Sequence, residues 1–231
     1  LSSPTVEDFL TETPEAGEVL ALYLGFSGIL LKSIDFTIAF DIANLLKSEV
    51  INRLKRLDVL LYTHEHYDHY HLETAMRVFE TLAPIIVAEE KVHKDLSLYI
   101  PSSSLLRAYP DTTIKIRNIS ITTIAGRHVG PINLYLLEIE GMKIFHGGDS
   151  GYVDLSKYSA DIAILPTGYP SPTASPEDAL RMAVDLRPKI VITTHGKKEQ
   201  MERFRRMIED EIPGITVFTP DKGNVLKFRV R

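Results

Sequence analysis

Thr63-His64-Glu65-His66-Tyr67-Asp68-His69 follows directly on the apolar stretch Asp58-Val-Leu-Leu-Tyr62. It places four groups able to bind a divalent metal, His64, His66, Asp68 and His69, within six residues of a chain that has 8 histidines in all. Imidazole and carboxylate suit zinc and related divalent ions. Side chains two apart on an extended segment share a face, so His64 and His66 point the same way. A turn after them lets Asp68 and His69 address a neighbouring point. A tag or an incidental surface cluster fits poorly, because the run is internal and sits at the end of an apolar strand.

Working outward, Val19–Leu24, Gly28–Lys32 and Thr37–Asp41 read as strands before the motif, and residues 1–17 as a loop or short helix broken by Pro4, Pro14 and Gly17. Leu72, Ala75, Met76 and Phe79 recur at helical spacing just after it. Further strands are expected at 84–88, at 113–124 with a break near Asn118, and in a hairpin about Gly141. Another is expected at 161–165. The clearest helix has Ser175 as cap, Pro176 in its first turn and an apolar stripe of Ala179, Met182, Ala183 and Leu186, and it stops before Pro188. A strand at 190–193, a helix at about 197–211 and two last strands near 215–218 and 224–230 complete the chain. The alternating Lys227-Phe-Arg-Val-Arg231 reads as an edge strand with its charges in solvent. Early strands followed by strand–helix units imply two packed sheets with helices outside them.

At 231 residues and 44% hydrophobic the chain is read as one domain, 1–231, with a substantial core. No stretch approaches the roughly 20 apolar residues of a membrane span. The first residues lack the basic-then-apolar order of a signal peptide. There are 0 cysteines, so disulfides and thiolate ligands are excluded, and a cytoplasmic setting is expected. A net charge of −5 disfavours a broad nucleic-acid surface.

Four more residues follow strand-like segments. His128 lies in Ala-Gly-Arg-His-Val-Gly, Asp149 in Phe-His-Gly-Gly-Asp-Ser, His195 in Ile-Thr-Thr-His-Gly and Asp41 in Ala-Phe-Asp-Ile. Taken singly each has an ordinary explanation. A loop His is usually solvated, an Asp after Gly-Gly is usually a turn residue, and His195 could cap the last helix. His71 is expected on the first turn of a helix, and His93 is expected to be exposed. His146 stands just before Gly-Gly-Asp, where it could hydrogen-bond a ligand. Tyr67, Tyr70 and Tyr169 could line a pocket mouth or simply pack. Arg127 could attract an anion.

Taken together these residues resemble the metallo-β-lactamase superfamily, whose hallmark is His-x-His-x-Asp-His after a buried strand, with a later His, Asp and His in that order. The resemblance implies an α+β fold, a four-layer αββα sandwich of two mixed β-sheets. It implies that His64, His66 and His128 hold one metal ion, that Asp68, His69 and His195 hold a second, and that Asp149 bridges them. Asp41 then orients the loop by hydrogen bonds. Asp68 and Asp149 are the carboxylates given a catalytic part. A carboxylate bridge between two dications lowers their repulsion. The implied cofactors are two divalent ions, Zn2+ first, with Mn2+, Fe2+, Co2+ or Ni2+ admitted by the same donors.

The implied activity is hydrolysis of a small ester, lactone or phosphoester by a metal-bound hydroxide. Di-iron members of the superfamily carry Glu where this chain has His66, which favours hydrolysis over redox work. The chain resembles the compact branch that includes ascorbate 6-phosphate lactonase and uncharacterised metal-dependent hydrolases. Its His128-Val-Gly-Pro and Thr194 depart from common patterns, so the lactone substrate does not carry over. The alternatives are an RNA or nucleotide phosphodiesterase and a non-catalytic, metal-stabilised binding protein. A small-molecule substrate is the expected partner. A homo-oligomer is compatible with the sequence.

Overall fold

The computed structural model describes residues 4–230. The chain divides into two compact units. One runs up to Ala108 and resumes at Asp221, and the other is Tyr109–Pro220. The first unit contains α1 (Val6–Thr11), β1 (Glu18–Gly25), β2 (Gly28–Lys32), β3 (Thr37–Phe40), α2 (Ser48–Arg53), β4 (Val59–Tyr62), α3 (Leu72–Leu82), β5 (Ile85–Ala88), α4 (Glu90–Leu96) and β6 (Leu105–Arg107). The second contains β7 (Thr113–Ile116), β8 (Ile119–Ala125), β9 (Asn133–Ile139), β10 (Met142–His146), β11 (Ile162–Pro166), α5 (Pro176–Leu186), β12 (Ile190–Thr194), α6 (Lys198–Glu211) and β13 (Thr216–Phe218). The chain returns to the first unit as β14 (Val225–Arg229).

Each unit is built on one seven-stranded mixed sheet, in the order β14-β1-β2-β3-β4-β5-β6 and β13-β12-β11-β10-β9-β8-β7. Both sheets have an antiparallel half and a parallel half. β14, β1, β2 and β3 alternate in direction, and β3 to β6 run parallel. β7 to β10 alternate, and β10 to β13 run parallel. Parallel neighbours need a crossover, which is why α2, α3 and α4 fall between β3, β4, β5 and β6. Every residue of β3 and β4 is buried, the unbroken apolar pattern of parallel strands.

The core of the first unit reads with a period of two along the strands. Leu20, Leu22 and Leu24 of β1, Leu60 and Tyr62 of β4 and Ile86 of β5 pack with Phe9, Ile51, Ala75, Val78 and Leu96 from the four helices. In the second unit Phe145, Ala163, Leu165 and Val191 pack against Ala179, Met182, Ala183 and Leu186 of α5 and against Phe204 and Ile208 of α6. Each fully buried Leu, Ile or Phe contributes about 1.5–3 kcal/mol.

Local chemistry sets the helix ends. Ser175 Oγ accepts from the Asp178 amide at 3.1 Å, Pro176 opens α5, and Arg187 closes it at φ 51° ahead of Pro188. Lys32 Nζ donates to the Phe9 and Glu12 carbonyls at the end of α1. β14 is an edge strand as expected, and its exposed Lys227 and Arg229 pair with Glu12 and Glu15. Arg231 lies outside the described residues. Two short helices, α2 and α4, and the strand β6 were not legible in the sequence.

Candidate metal centre

Within each sheet, the residues singled out for metal chemistry leave the ends of strands that run the same way. Asp41 follows β3 and Thr63 follows β4. Asp149 follows β10 and His195 follows β12. Loops at the carboxyl ends of parallel strands are where rigid strands best position side chains.

In the first unit the motif turns sharply. The amides of His69 and Tyr70 both donate to the His66 carbonyl at 2.9 Å. The turn brings three imidazoles together, His66 edge-on and His69 tilted against His64. The His64 ring centroid is 4.5 Å from that of His66 and 4.0 Å from that of His69. His64 and His69 are fully buried. The ligand atoms of His64 and His66 lie within 4.8 Å of one another, as do those of Asp68 and His69.

Asp41 orders this cluster. Its buried carboxylate accepts from the Thr63 amide at 2.8 Å, from Thr63 Oγ1 at 2.7 Å and from His69 Nδ1 at 2.8 Å. His69 therefore carries its proton on Nδ1 and keeps its lone pair on Nε2. Thr63 has one hydroxyl proton, and Asp41 takes it. The 2.9 Å contact of Thr63 Oγ1 with His64 Nδ1 is then donated by the imidazole, so His64 also presents Nε2. Sequence reasoning gave Asp41 an orienting part and missed Thr63. The one signal for it was a threonine at a strand end immediately before the motif.

In the second unit the loop carrying His128 is tied to the loop carrying Asp149. The Arg127 amide donates to Ser150 Oγ at 2.8 Å, and the Gly151 amide donates to the Arg127 carbonyl at 2.8 Å. Gly126 is required here, since a Cβ would stand 2.6 Å from Ile132 Cγ2. His195 Nε2 lies 3.1 Å from Asp149 Oδ2. His195 has φ 42°, a left-handed conformation, and its carbonyl lies where a side chain on Gly168 would stand, 2.0 Å from the Cβ position. His146 is buried, and its Nδ1 accepts from the Gly148 amide at 3.1 Å. That bond places the His146 proton on Nε2 and holds the loop before Asp149. Ser150 and Gly168 were not identified from sequence.

The neighbouring groups are less involved. Glu65 pairs with Lys91. Tyr70 is half-buried, its hydroxyl on Asp95 at 2.5 Å, and burial first, then Asp95, pushes that hydroxyl far up from its ordinary pKa. Tyr67 is 82% exposed and Tyr169 62% exposed. His71 stands just before α3, its Nδ1 3.0 Å from Thr74 Oγ1. His93 is half-buried where exposure was expected, because it lies on the first unit's α4 beside Arg107. Burial and that guanidinium lower its pKa. Glu89 is buried after β5, with Oε2 accepting from the Lys91 amide. Among the described residues its Oε1 has no hydrogen-bond partner. Burial raises the Glu89 pKa most, and the Glu65 charge adds to the rise.

The donors are all imidazole nitrogen and carboxylate oxygen, a set that fits zinc and its neighbours in the first transition row. The hydrogen bonds that order the His64 and His69 tautomers leave the lone pair of each ring on Nε2, the form in which imidazole serves a divalent ion.

A family model described as a β-lactamase superfamily domain matches residues 22–195. A UPF0173 metal-dependent hydrolase of Methanosphaera stadtmanae is 28% identical over 182 residues, covering 68% of this chain and 76% of that protein. A probable L-ascorbate-6-phosphate lactonase of Salmonella choleraesuis is 25% identical over 177 residues, covering 62% of this chain but 49% of that protein. The solved structure of Igni18, a metallo hydrolase of Ignicoccus hospitalis, superposes with a TM-score of 0.78 over 93% of this chain and 100% of that chain at 19% identity. The match in fold is therefore much stronger than the match in sequence.

Proposed function

We propose, because this chain belongs to the metallo-β-lactamase superfamily and is a metal-dependent hydrolase with that fold, that it acts as the single domain its sequence suggests and holds a pair of divalent ions. His64, His66 and His128 would hold one ion. Asp68, His69 and His195 would hold the other, and Asp149 would serve both. Zinc is the first choice of metal, with manganese, iron, cobalt or nickel as the others the donors accept. Such ions, when bound, lower the pKa of coordinated water towards neutrality and polarise a carbonyl or phosphoryl oxygen.

The residues supply the rest. The Asp41–Thr63 relay keeps His64 and His69 in the tautomer that offers Nε2. This is the observation that carries the proposal, since a merely structural histidine cluster has no need of two matched tautomers. Asp68 is half-buried with its carboxylate 3.9 Å from His69 Nε2, and in this reading it would take a proton or orient water. His146 and Ser150 hold the Asp149 loop in position.

The substrate we favour is a small ester, lactone or phosphoester. The lactonase relative supports the ester and lactone side of that class. An RNA or nucleotide phosphodiester is the second candidate, and a metal-stabilised binding protein the third. No helix among the described residues is long and apolar enough to cross a membrane.

Elemental analysis of purified protein, paired with a panel of lactones, carboxyl esters and phosphodiesters, tests this. Two ions per chain and turnover that a chelator abolishes are expected. One fully coordinated ion with no turnover on any substrate would favour the binding protein instead.

A further inference from the structure

The first unit contains a second feature outside the histidine cluster, a cavity of about 540 Å3 beside α1, α2 and the end of β1. Small-molecule sites commonly enclose about 300–1,000 Å3 with mostly apolar walls and a few placed polar groups. The walls here are Leu10, Leu22, Leu24, Leu45, Leu46 and Val50. The polar lining is charged. Arg53 is engaged by Glu7 at 2.6 Å and also sits in the field of Glu49. Lys47 and Lys222 are exposed, and among the described residues neither ammonium group has an ion-pair or hydrogen-bond partner. The Lys222 stem runs past Gly25, its Cδ 3.4 Å from the Cβ position there. With Arg53 paired to Glu7, Lys47 and Lys222 outweigh Glu49, the other charged lining residue, and leave the leucine floor under a net positive rim in a chain of net charge −5.

We propose that this cavity binds a free aliphatic carboxylate, its hydrocarbon chain on the leucine walls and its carboxylate at Lys47 and Lys222. A neutral amphiphile would leave both ammonium groups unused, and a cationic one would meet them as like charges.

The cavity wall is continuous with the support of His69. Leu45, Leu46 and Lys47 belong to the segment that starts at Asp41, and the Ala43 amide donates to the His69 carbonyl at 3.0 Å. Asp41 and Ala43 both hold left-handed backbone, at φ 45° and 42°. Alanine rarely adopts that conformation, so the segment keeps it only while its contacts hold. A ligand that packs against Leu45 and Leu46 stabilises the same segment that orients His69. Binding at the cavity stands on the cavity alone. Its coupling to metal rests on the reading of His69 as a ligand, and linkage makes that coupling reciprocal.

Isothermal titration of the full chain with hexanoate, octanoate and decanoate tests the proposal. One-to-one binding should tighten by up to about fourfold per methylene until the chain outgrows the cavity. Decyl glucoside should bind at least tenfold more weakly than decanoate. The double variant Lys47→Glu/Lys222→Glu should lose at least tenfold, while a control reversal at exposed Lys115 and Lys198 should change nothing. Lys47→Met/Lys222→Met gives the same comparison without added repulsion. Equal decanoate affinity in all variants, no dependence on chain length, or binding only to anionic phosphatidylglycerol vesicles would overturn the site. Decanoate should also bind more tightly to zinc-loaded than to metal-free protein. Equal affinities would overturn the coupling, and binding to the metal-free protein tests the cavity independently of any metal.

Discussion

Asp41→Asn is nearly isosteric, yet it should invert the proton relay that readies two histidines. The asparagine oxygen must stay against the Thr63 amide, whose N–H cannot adapt. The NH2 then replaces the oxygen that accepts from Thr63 Oγ1 and His69 Nδ1. Two bonds to a buried charge are lost, each worth about 1.5–3 kcal/mol, or about 3–6 kcal/mol together. The network can recover part of this. His69 accepts from the new NH2 through Nδ1, and Thr63 accepts from it and donates to His64 Nδ1. Two neutral bonds return about 1–3 kcal/mol, so metal-free stability should fall by about 2–3 kcal/mol. The recovery moves both imidazole protons onto Nε2, where the lone pair is needed. Metal affinity should therefore fall by about 100-fold, the upper end for loss of a supporting hydrogen bond. Urea unfolding of metal-free protein gives the first quantity and zinc titration against a competing chelator the second. Long-range proton–nitrogen NMR reads the tautomers directly. A variant that binds zinc within about threefold of wild type, or that keeps protons on both Nδ1 atoms, would refute the relay.

Gly168→Ala puts a methyl group at a point 2.0 Å from the His195 carbonyl oxygen. It should cost about 3 kcal/mol or more in urea unfolding, in the range of severe steric changes, and lower the bound metal count; a fully stable, fully loaded variant would show that the loop gives way freely. Glu89 supplies a pH test. A carboxyl whose folded-state pKa is raised keeps its proton where the unfolded chain, at an ordinary value near 4.5, has lost it. Stability should then decline as pH rises through and above 4.5 and level off past the folded-state value. Glu89→Gln removes this dependence, so the variant should gain on wild type between pH 4 and pH 7 in metal-free protein, and a constant difference across that range would contradict it. Ser175→Ala removes the cap of α5 and should cost about 1 kcal/mol in the same unfolding assay without altering metal content.

Much of this molecule follows from local sequence. α5 is legible because Ser175, Pro176 and Asp178 form a start signal and its apolar stripe repeats at helical spacing. β3 and β4 are legible because buried parallel strands are unbroken apolar runs. α2 is not, because Lys47 offers no side-chain cap and the helix is only 6 residues long. α4 is hidden for a related reason, since its cap is Glu89 rather than Ser, Thr, Asp or Asn.

The order of the candidate donors is as plain in the sequence, since the identities and positions of His64, His66, Asp68, His69, His128, Asp149 and His195 are covalent facts. What each imidazole offers was decided by folding. Asp41 is 22 residues from Thr63 and 28 from His69, and it reaches both because β3 pairs in parallel with β4. A tautomer is set by the hydrogen bond at the opposite ring nitrogen. For His69 that partner is Asp41 at the end of the neighbouring strand, and for His64 it is the adjacent Thr63, whose one hydroxyl proton is already committed to the same Asp41, so the linear order of residues alone specified neither tautomer.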